Sequence, residues 1–247
     1  MATNSSTKDG TLRRMYETEE WADLTIKTAT KDFKVHKSIV CPACPFFHAA
    51  CTNEFKESHT GIIHLEDSAS VVDAILRHLY ELPIEWLSYR QWDLEHAVTP
   101  GGSAAVMPTR RVGRAVSKMP KSKDVPTHER MKRILRKILD LELAVNKYDI
   151  KGINTTICAS FLFHFEYILD IKCVVETGAE VFDEERPPNK TLRAVVAMET
   201  SWRLDEIIAS PCAWEIFHSN EDYMKETVSP RVPRTIGEIF RGNPGTD

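Results

Sequence analysis

The chain has 247 residues, 42% hydrophobic and 28% charged, with a formal net charge of -4 and a pI near 6.2. That composition is globular rather than disordered, and the length suits one domain with an extension or two small domains. No run approaches the roughly 18 apolar residues of a membrane-spanning helix, so no membrane partner is expected. The charged first twenty residues hold no apolar stretch of the kind a secretory leader needs. The expected compartments are therefore the cytoplasm, the nucleus or both. There the six cysteines should be free thiols, and the sequons at Asn4, Asn154 and Asn189 chance matches.

Residues 1–20 read as an N-terminal tail, small, polar and frayed over Met1 to Gly10. Asp23-Leu24-Thr25-Ile26-Lys27 alternates polar with apolar, the period of a half-buried strand. Lys31 to His36 alternates again after a short link, which predicts a hairpin. Ser38 to Cys51 is apolar and broken by Pro42 and Pro45, so two short helices fit better than one. Ile63 and Leu65 flank His64 as a third short strand. Ser68 or Ser70 then opens a helix with Val72, Ile75, Leu76 and Leu79 on one face. Asp73, Arg77 and Glu81 lie opposite at i, i+4 spacing, a solvated side.

After Trp92 the character changes. Pro100-Gly101-Gly102 breaks the pattern, and residues 93–130 read as a basic insertion of little order. From Arg110 to Lys137 eleven basic residues face two acidic ones, a local excess of nine positive charges in a net-negative chain. Ile134, Ile138, Leu141, Val145 and Tyr148 then mark a helix, with Gly152 as its expected end. Ile157, Phe161, Phe165 and Ile168 mark another, and Thr191 to Ile208 a third after the Pro187-Pro188 break. Ser210-Pro211 reads as an N-cap with proline at the first helical position. Residues 169–228 thus form a helical extension, and residues 229–247 a loose tail.

The string FKVHKSIVCPACPFFHAACTNEFKES, from Phe33 to Ser58, resembles the BTB/POZ family, particularly its filamentous-fungal members. Ala22-Asp23-Leu24-Thr25-Ile26 before it, and Leu79-Tyr80 after the amphipathic helix, match in order and spacing. The resemblance places the first part of the domain at residues 21–92 and its closing helices at 131–168. It implies an α+β fold, a small sheet capped by helical hairpins, followed here by the helical extension. Short strands followed by amphipathic helices agree with that class, and not with a nucleotide-binding βαβ alternation. Association, not catalysis, is the implied function.

Several residues then stand out as candidates. In BTB proteins that recruit cullin scaffolds, an apolar residue, any residue and a glutamate dock on the cullin from the loop after the second helix. Phe55-x-Glu57 occupies that place. An exposed ring beside a carboxylate has the chemistry of a hot spot; the bland alternative is a ring tucked into its own core beside a turn-capping glutamate. Asp23 and Lys37 match the charged pair lining the family's groove, either orienting a partner or serving as a structural ion pair. Tyr80 is grouped with them as an interaction residue.

Cys41-x2-Cys44-x3-His48-x2-Cys51 offers four donors for zinc, but its apolar filling reads as a core helix, so no metal is expected. Cys41-x2-Cys44 lacks the strand that a redox C-x-x-C motif follows. No P-loop, glycine-rich dinucleotide fingerprint, HExxH or G-x-S-x-G occurs, so no catalytic residue and no cofactor is expected. Arg110, Arg111, Arg114, Lys118, Lys121 and Lys123 could meet phosphates or direct nuclear import, yet no aromatic lies among them to stack on bases. Nucleic acid is thus a disfavoured partner.

Two readings emerge. The first is a non-catalytic interaction module acting as an adaptor for a cullin-type ubiquitin ligase. The second is a nuclear regulatory protein that self-associates through the BTB unit and uses the basic segment for chromatin contact or import. Both require a packed core beneath the sheet. Leu76→Ala should therefore cost roughly 2–5 kcal/mol in urea denaturation, whereas an exposed Leu76 would leave the midpoint unchanged.

Overall fold

The computed structural model describes residues 5–52, 54–87, 128–166, 168 and 170–229. The insertion containing Arg110, Arg111, Arg114, Lys118, Lys121 and Lys123, and the tail past residue 229, lie outside the described residues. The described chain falls into two compact units. One holds residues up to 87 together with Lys137–Ile157; the other holds 128–136 and the residues from Cys158 onward.

The first unit is built on three strands, β1 (Leu24–Lys27), β2 (Asp32–Val35) and β3 (Ile62–His64), in the order β2-β1-β3. β1 runs antiparallel to β2, pairing Leu24 with Val35 and Ile26 with Phe33, and parallel to β3, pairing Ile26 with Ile63. This register puts Leu24, Ile26, Phe33, Val35 and Ile63 in the core. The period-two alternation seen in the sequence is what selects that register, because a one-residue slip would turn every apolar side chain to solvent.

Helices surround the sheet. α2 (Lys37–Ala43) and α3 (Pro45–Thr52) pack as a hairpin joined by Cys44 alone, which is extended at φ -140, ψ 116. Proline drives the preceding residue out of the helical region, so Pro45 ends α2 and starts α3. α4 (Lys56–Thr60) leads through Gly61 into β3. α5 (Ala69–Leu79) buries Val71, Val72, Ala74, Ile75, Leu76 and Leu79, the face expected from the periodicity.

α6 (His128–Tyr148) and α7 (Asn154–Glu166) follow, and the division between the units falls inside both. Gly152 does not end α6. The helix stops at Tyr148 because Asp149 takes φ 54, the Ile150 N–H reaches the Val145 carbonyl at 2.9 Å, and the Asp149 N–H reaches Asn146 at 3.3 Å. These two bonds are a Schellman cap with aspartate in the left-handed position. α5 ends the same way, with Glu81 at φ 57 and the Leu82 N–H 2.7 Å from the Arg77 carbonyl.

The amino-terminal segment also differs from expectation. Residues Ser5–Thr18 form a helix, α1, where the sequence predicts a tail frayed over Met1 to Gly10. Tyr16 explains its place: the hydroxyl donates to Asp73 at 2.8 Å, and the ring lies 5.1 Å from that of Tyr80. Asp73 and Arg77 are accordingly not a free solvated face. Arg77 Nε binds Asp73 at 2.7 Å, and the guanidinium lies over the Tyr16 ring.

The second unit is helical: α8 (Ile171–Val181), α9 (Lys190–Ser201), α10 (Leu204–Ala209), α11 (Pro211–Ser219) and α12 (Glu221–Val228), with the latter part of α7. Asp170, Asn189 and Asn220 cap α8, α9 and α12 through side-chain oxygens that accept backbone N–H groups at 2.9–3.1 Å. The helix expected from Thr191 to Ile208 is two helices. Arg203 breaks it, turning inward to donate to the Ile168 carbonyl at 2.6 Å while holding Glu206. Among the described residues no helix is long and apolar enough to cross a membrane.

Tyr223 is the centre of this unit. Its ring stacks on Phe182 and meets Phe217 edge-on, each 5.0 Å away, and its hydroxyl is 2.7 Å from that of Thr200. It fits only because α8 carries Gly178, where a β-carbon would stand 2.2 Å from the tyrosine oxygen. Gly178→Ala should therefore cost about 1–3 kcal/mol, the usual penalty of overpacking, read as a lower urea midpoint. Combining it with Tyr223→Ala should cost less than the two single losses together, since the clash is then gone. Additive losses would show that Gly178 and Tyr223 act independently.

Candidate protein-interaction surface

Phe55 sits between α3 and α4, and its carbonyl receives both the N–H and the hydroxyl of Ser58, at 3.1 and 2.7 Å. Those bonds hold the backbone at the start of α4, where Phe55 is extended at φ -81, ψ 156. The ring points outward and is 54% exposed. It is not part of the core, so the tucked alternative fails for the ring. Glu57 lies in the first turn of α4, half-buried, and its carbonyl receives the Gly61 N–H at 2.9 Å. Gly61, at φ 64, supplies the left-handed turn from α4 into β3. The turn is thus fixed at both ends, and an aromatic held on such a turn loses little freedom when a partner covers it.

Asp23 and Lys37 do come together, though not as the expected pair of opposite charges. The Asp23 carboxylate accepts the backbone N–H of Lys37 at 2.8 Å, and it is this contact that joins the two residues. The reason is local. α2 begins at Lys37 with no side-chain cap from His36, so its first N–H groups need an outside acceptor, and Asp23 provides one. Asp23 is exposed and Lys37 half-buried. The carboxylate serves the helix end, and the ammonium stays uncommitted to it.

Tyr80 is not a surface contact. It is fully buried, and its hydroxyl is used inside the domain. The His36 N–H donates to that hydroxyl at 2.9 Å, and His36 Nδ1 lies 2.7 Å from it. His36 Nε2 lies 2.6 Å from the Glu20 carbonyl oxygen, which can only accept. A neutral His36 therefore carries its proton on Nε2, and Tyr80 donates to Nδ1. Burial pushes the Tyr80 hydroxyl up to about 12, so it remains a donor at any physiological pH. The sequence offered only a matching Leu79-Tyr80 pair, and burial of so large a side chain was not visible in it.

The cysteine cluster divides. Cys44 is buried and donates to the Tyr148 carbonyl at 3.4 Å, while the Cys41 sulfur lies 3.6 Å from the Phe47 carbonyl oxygen. Burial raises both thiols, Cys41 to about 12 with the neighbouring Cys51 adding to the effect. His48 is exposed. Among the described residues no three histidine, cysteine or acidic side chains converge as a metal site. The described end of the basic run is partly engaged: Lys132 lies 4.0 Å from Glu176, Arg136 lies 3.4 Å from Glu180, and Lys137 lies over the Trp86 ring.

Comparison with known proteins identifies a domain in the first part of the chain. Residues 12–92 match the BTB/POZ domain model. Kelch repeat and BTB domain-containing protein 4 of Macaca fascicularis is 32% identical over 72 residues, 29% of this chain and 13% of the relative. The protein of the same name from Homo sapiens is 31% identical over 72 residues, 14% of its length. The matched region thus spans about a seventh of these relatives.

The His36–Tyr80 contact is directly testable. Tyr80→Phe leaves the buried His36 groups without their partner and should cost about 1–3 kcal/mol in urea denaturation. A midpoint equal to wild type would mean that the hydroxyl is dispensable to the fold.

Proposed function

The chain carries a BTB/POZ domain over residues 12–92, and we propose that this interaction domain acts as a substrate adaptor, docking a cullin-type scaffold through Phe55 and Glu57. BTB/POZ domains form an interaction family rather than a catalytic one. One observation carries the adaptor reading: Phe55 stands 54% exposed on a backbone pinned by Ser58, two residues before Glu57. Isolated surface apolar side chains are ordinary and need no partner. This one lies in the apolar-x-glutamate position of the family's cullin-recruiting members. The ring would fill a slot, and the carboxylate would fix its orientation against a basic group. The helical unit beyond Cys158 is then where a client would be held.

Truncating a hot-spot aromatic costs at least about 2 kcal/mol, or roughly thirtyfold in affinity. Phe55→Ala and Glu57→Lys should each lose most cullin co-purification while melting within a few degrees of wild type. Asp73 is unsuitable as a control because it binds Tyr16 and Arg77. Glu66, exposed before α5, serves instead, and Glu66→Lys should bind normally. Unchanged binding in both variants refutes this surface. If the unmutated chain captures no cullin, the adaptor reading falls, and nuclear self-association with the basic segment takes its place.

A further inference from the structure

Cys41 and Cys51 stand on the two arms of the α2–α3 hairpin, and both are half-buried free thiols. The Cys41 sulfur lies 3.6 Å from the Phe47 carbonyl oxygen of α3. In a helix each Cα–Cβ bond tilts toward the N-terminus, so residue 51 lays its side chain over the turn that begins at residue 47. Thr52, the next residue, shows the tilt directly: its hydroxyl donates back to the His48 carbonyl at 2.7 Å. Cys41 therefore meets the patch that Cys51 covers. Cys44 does not compete. It is fully buried, and its thiol is committed to the Tyr148 carbonyl.

We propose that Cys41 and Cys51 form a reversible oxidation site, closing to a disulfide between α2 and α3 when a hydroperoxide reaches the hairpin. The Cys51 thiolate attacks the distal peroxide oxygen; the O–O bond breaks, an alcohol or water departs, and Cys51 becomes a sulfenic acid. The Cys41 sulfur then attacks the Cys51 sulfur. The S–S bond forms, the S–O bond breaks, and the Cys41 proton leaves with the hydroxide as water. Two electrons pass from the two thiols to the peroxide, and a reducing thiol reverses the step. Burial pushes the Cys41 thiol up, so the first attack falls to Cys51, and Cys41 gives up its proton only as it attacks the sulfenic sulfur. The site goes beyond the adaptor reading and does not depend on it. It also differs from a C-x-x-C centre, since the partner of Cys41 is on the neighbouring helix.

The test uses the purified full chain, exposed to hydrogen peroxide, alkylated with iodoacetamide and digested without reductant. Trypsin leaves Cys41, Cys44 and Cys51 in one peptide, Ser38 to Lys56, so closure appears as the loss of two hydrogens and two alkyl groups. Chymotryptic cleavage after Phe46 or Phe47 converts that peptide into two disulfide-linked fragments. Wild type and Cys44→Ser should both close. Cys41→Ser should not, and should instead yield a Cys51 sulfenic acid captured by dimedone. Closure that persists in Cys41→Ser through Cys44 overturns the pairing. So does full alkylation of both thiols in wild type and Cys44→Ser, after an exposure that oxidises the urea-unfolded chain. Those last two proteins decide the question even if Cys41→Ser folds poorly.

Discussion

The buried contact between His36 and Tyr80 ties together three parts of the BTB/POZ domain that are far apart in sequence. His36 follows β2 and precedes α2, Tyr80 closes α5, and Glu20 lies in the turn after α1. A buried imidazole is costly unless each of its nitrogens has a partner, and here both do. The orientation of α5 against the end of the hairpin thus rests on a polar contact that has one satisfied arrangement. Leu24, Ile26, Phe33 and Val35 supply apolar burial, but apolar burial alone tolerates many near-equivalent packings. The hydrogen bonds choose among them.

α1 depends on the same place. Tyr16 lies against Tyr80 on one side and Asp73 on the other, and burial followed by the carboxylate raises its hydroxyl well above the usual tyrosine range. The helix has little apolar face of its own, with Leu12 and Met15 beside Tyr16. Isolated helices of this length are marginal in water, so the anchor on α5 accounts for its presence. Asp73 is consequently a structural residue, although i, i+4 spacing gave it the look of a solvated partner for Arg77.

Interaction chemistry is concentrated where the fold leaves side chains unspent. Asp23 is engaged by the first N–H of α2 and Tyr80 by His36, so neither is offered whole to a partner. Phe55 is different, because Ser58 satisfies its backbone while the residue stays 54% exposed among the described residues. A fixed backbone under an exposed ring would keep the entropic cost low if a partner docked there. The thiols follow the same division: Cys44 is consumed by packing, and Cys41 and Cys51 remain half-buried on adjoining helices.

Sequence alone determined the α+β class, the hairpin of β1 and β2, the division of the stretch holding Pro42 and Pro45 into two short helices, and the buried face of α5; that the break falls at Pro45, with Pro42 inside α2, came from the structure. Each rests on a local cause: period-two or period-3.6 alternation, or the steric rule before proline. It also marked Phe55-x-Glu57 as a place to look. Tertiary structure decided whether a marked residue faces in or out, since nothing in the order of residues separates the exposed Phe55 from the buried Phe47 and Tyr80. It decided helix ends as well. Glu81 and Asp149 occupy left-handed positions where glycine would have been the visible signal, and surrounding contacts hold them there. α1 was missed for a related reason: it is held by Tyr16 reaching a helix 57 residues away. Local pattern reports what a segment can become, and only the contacts it makes across the chain settle what it is.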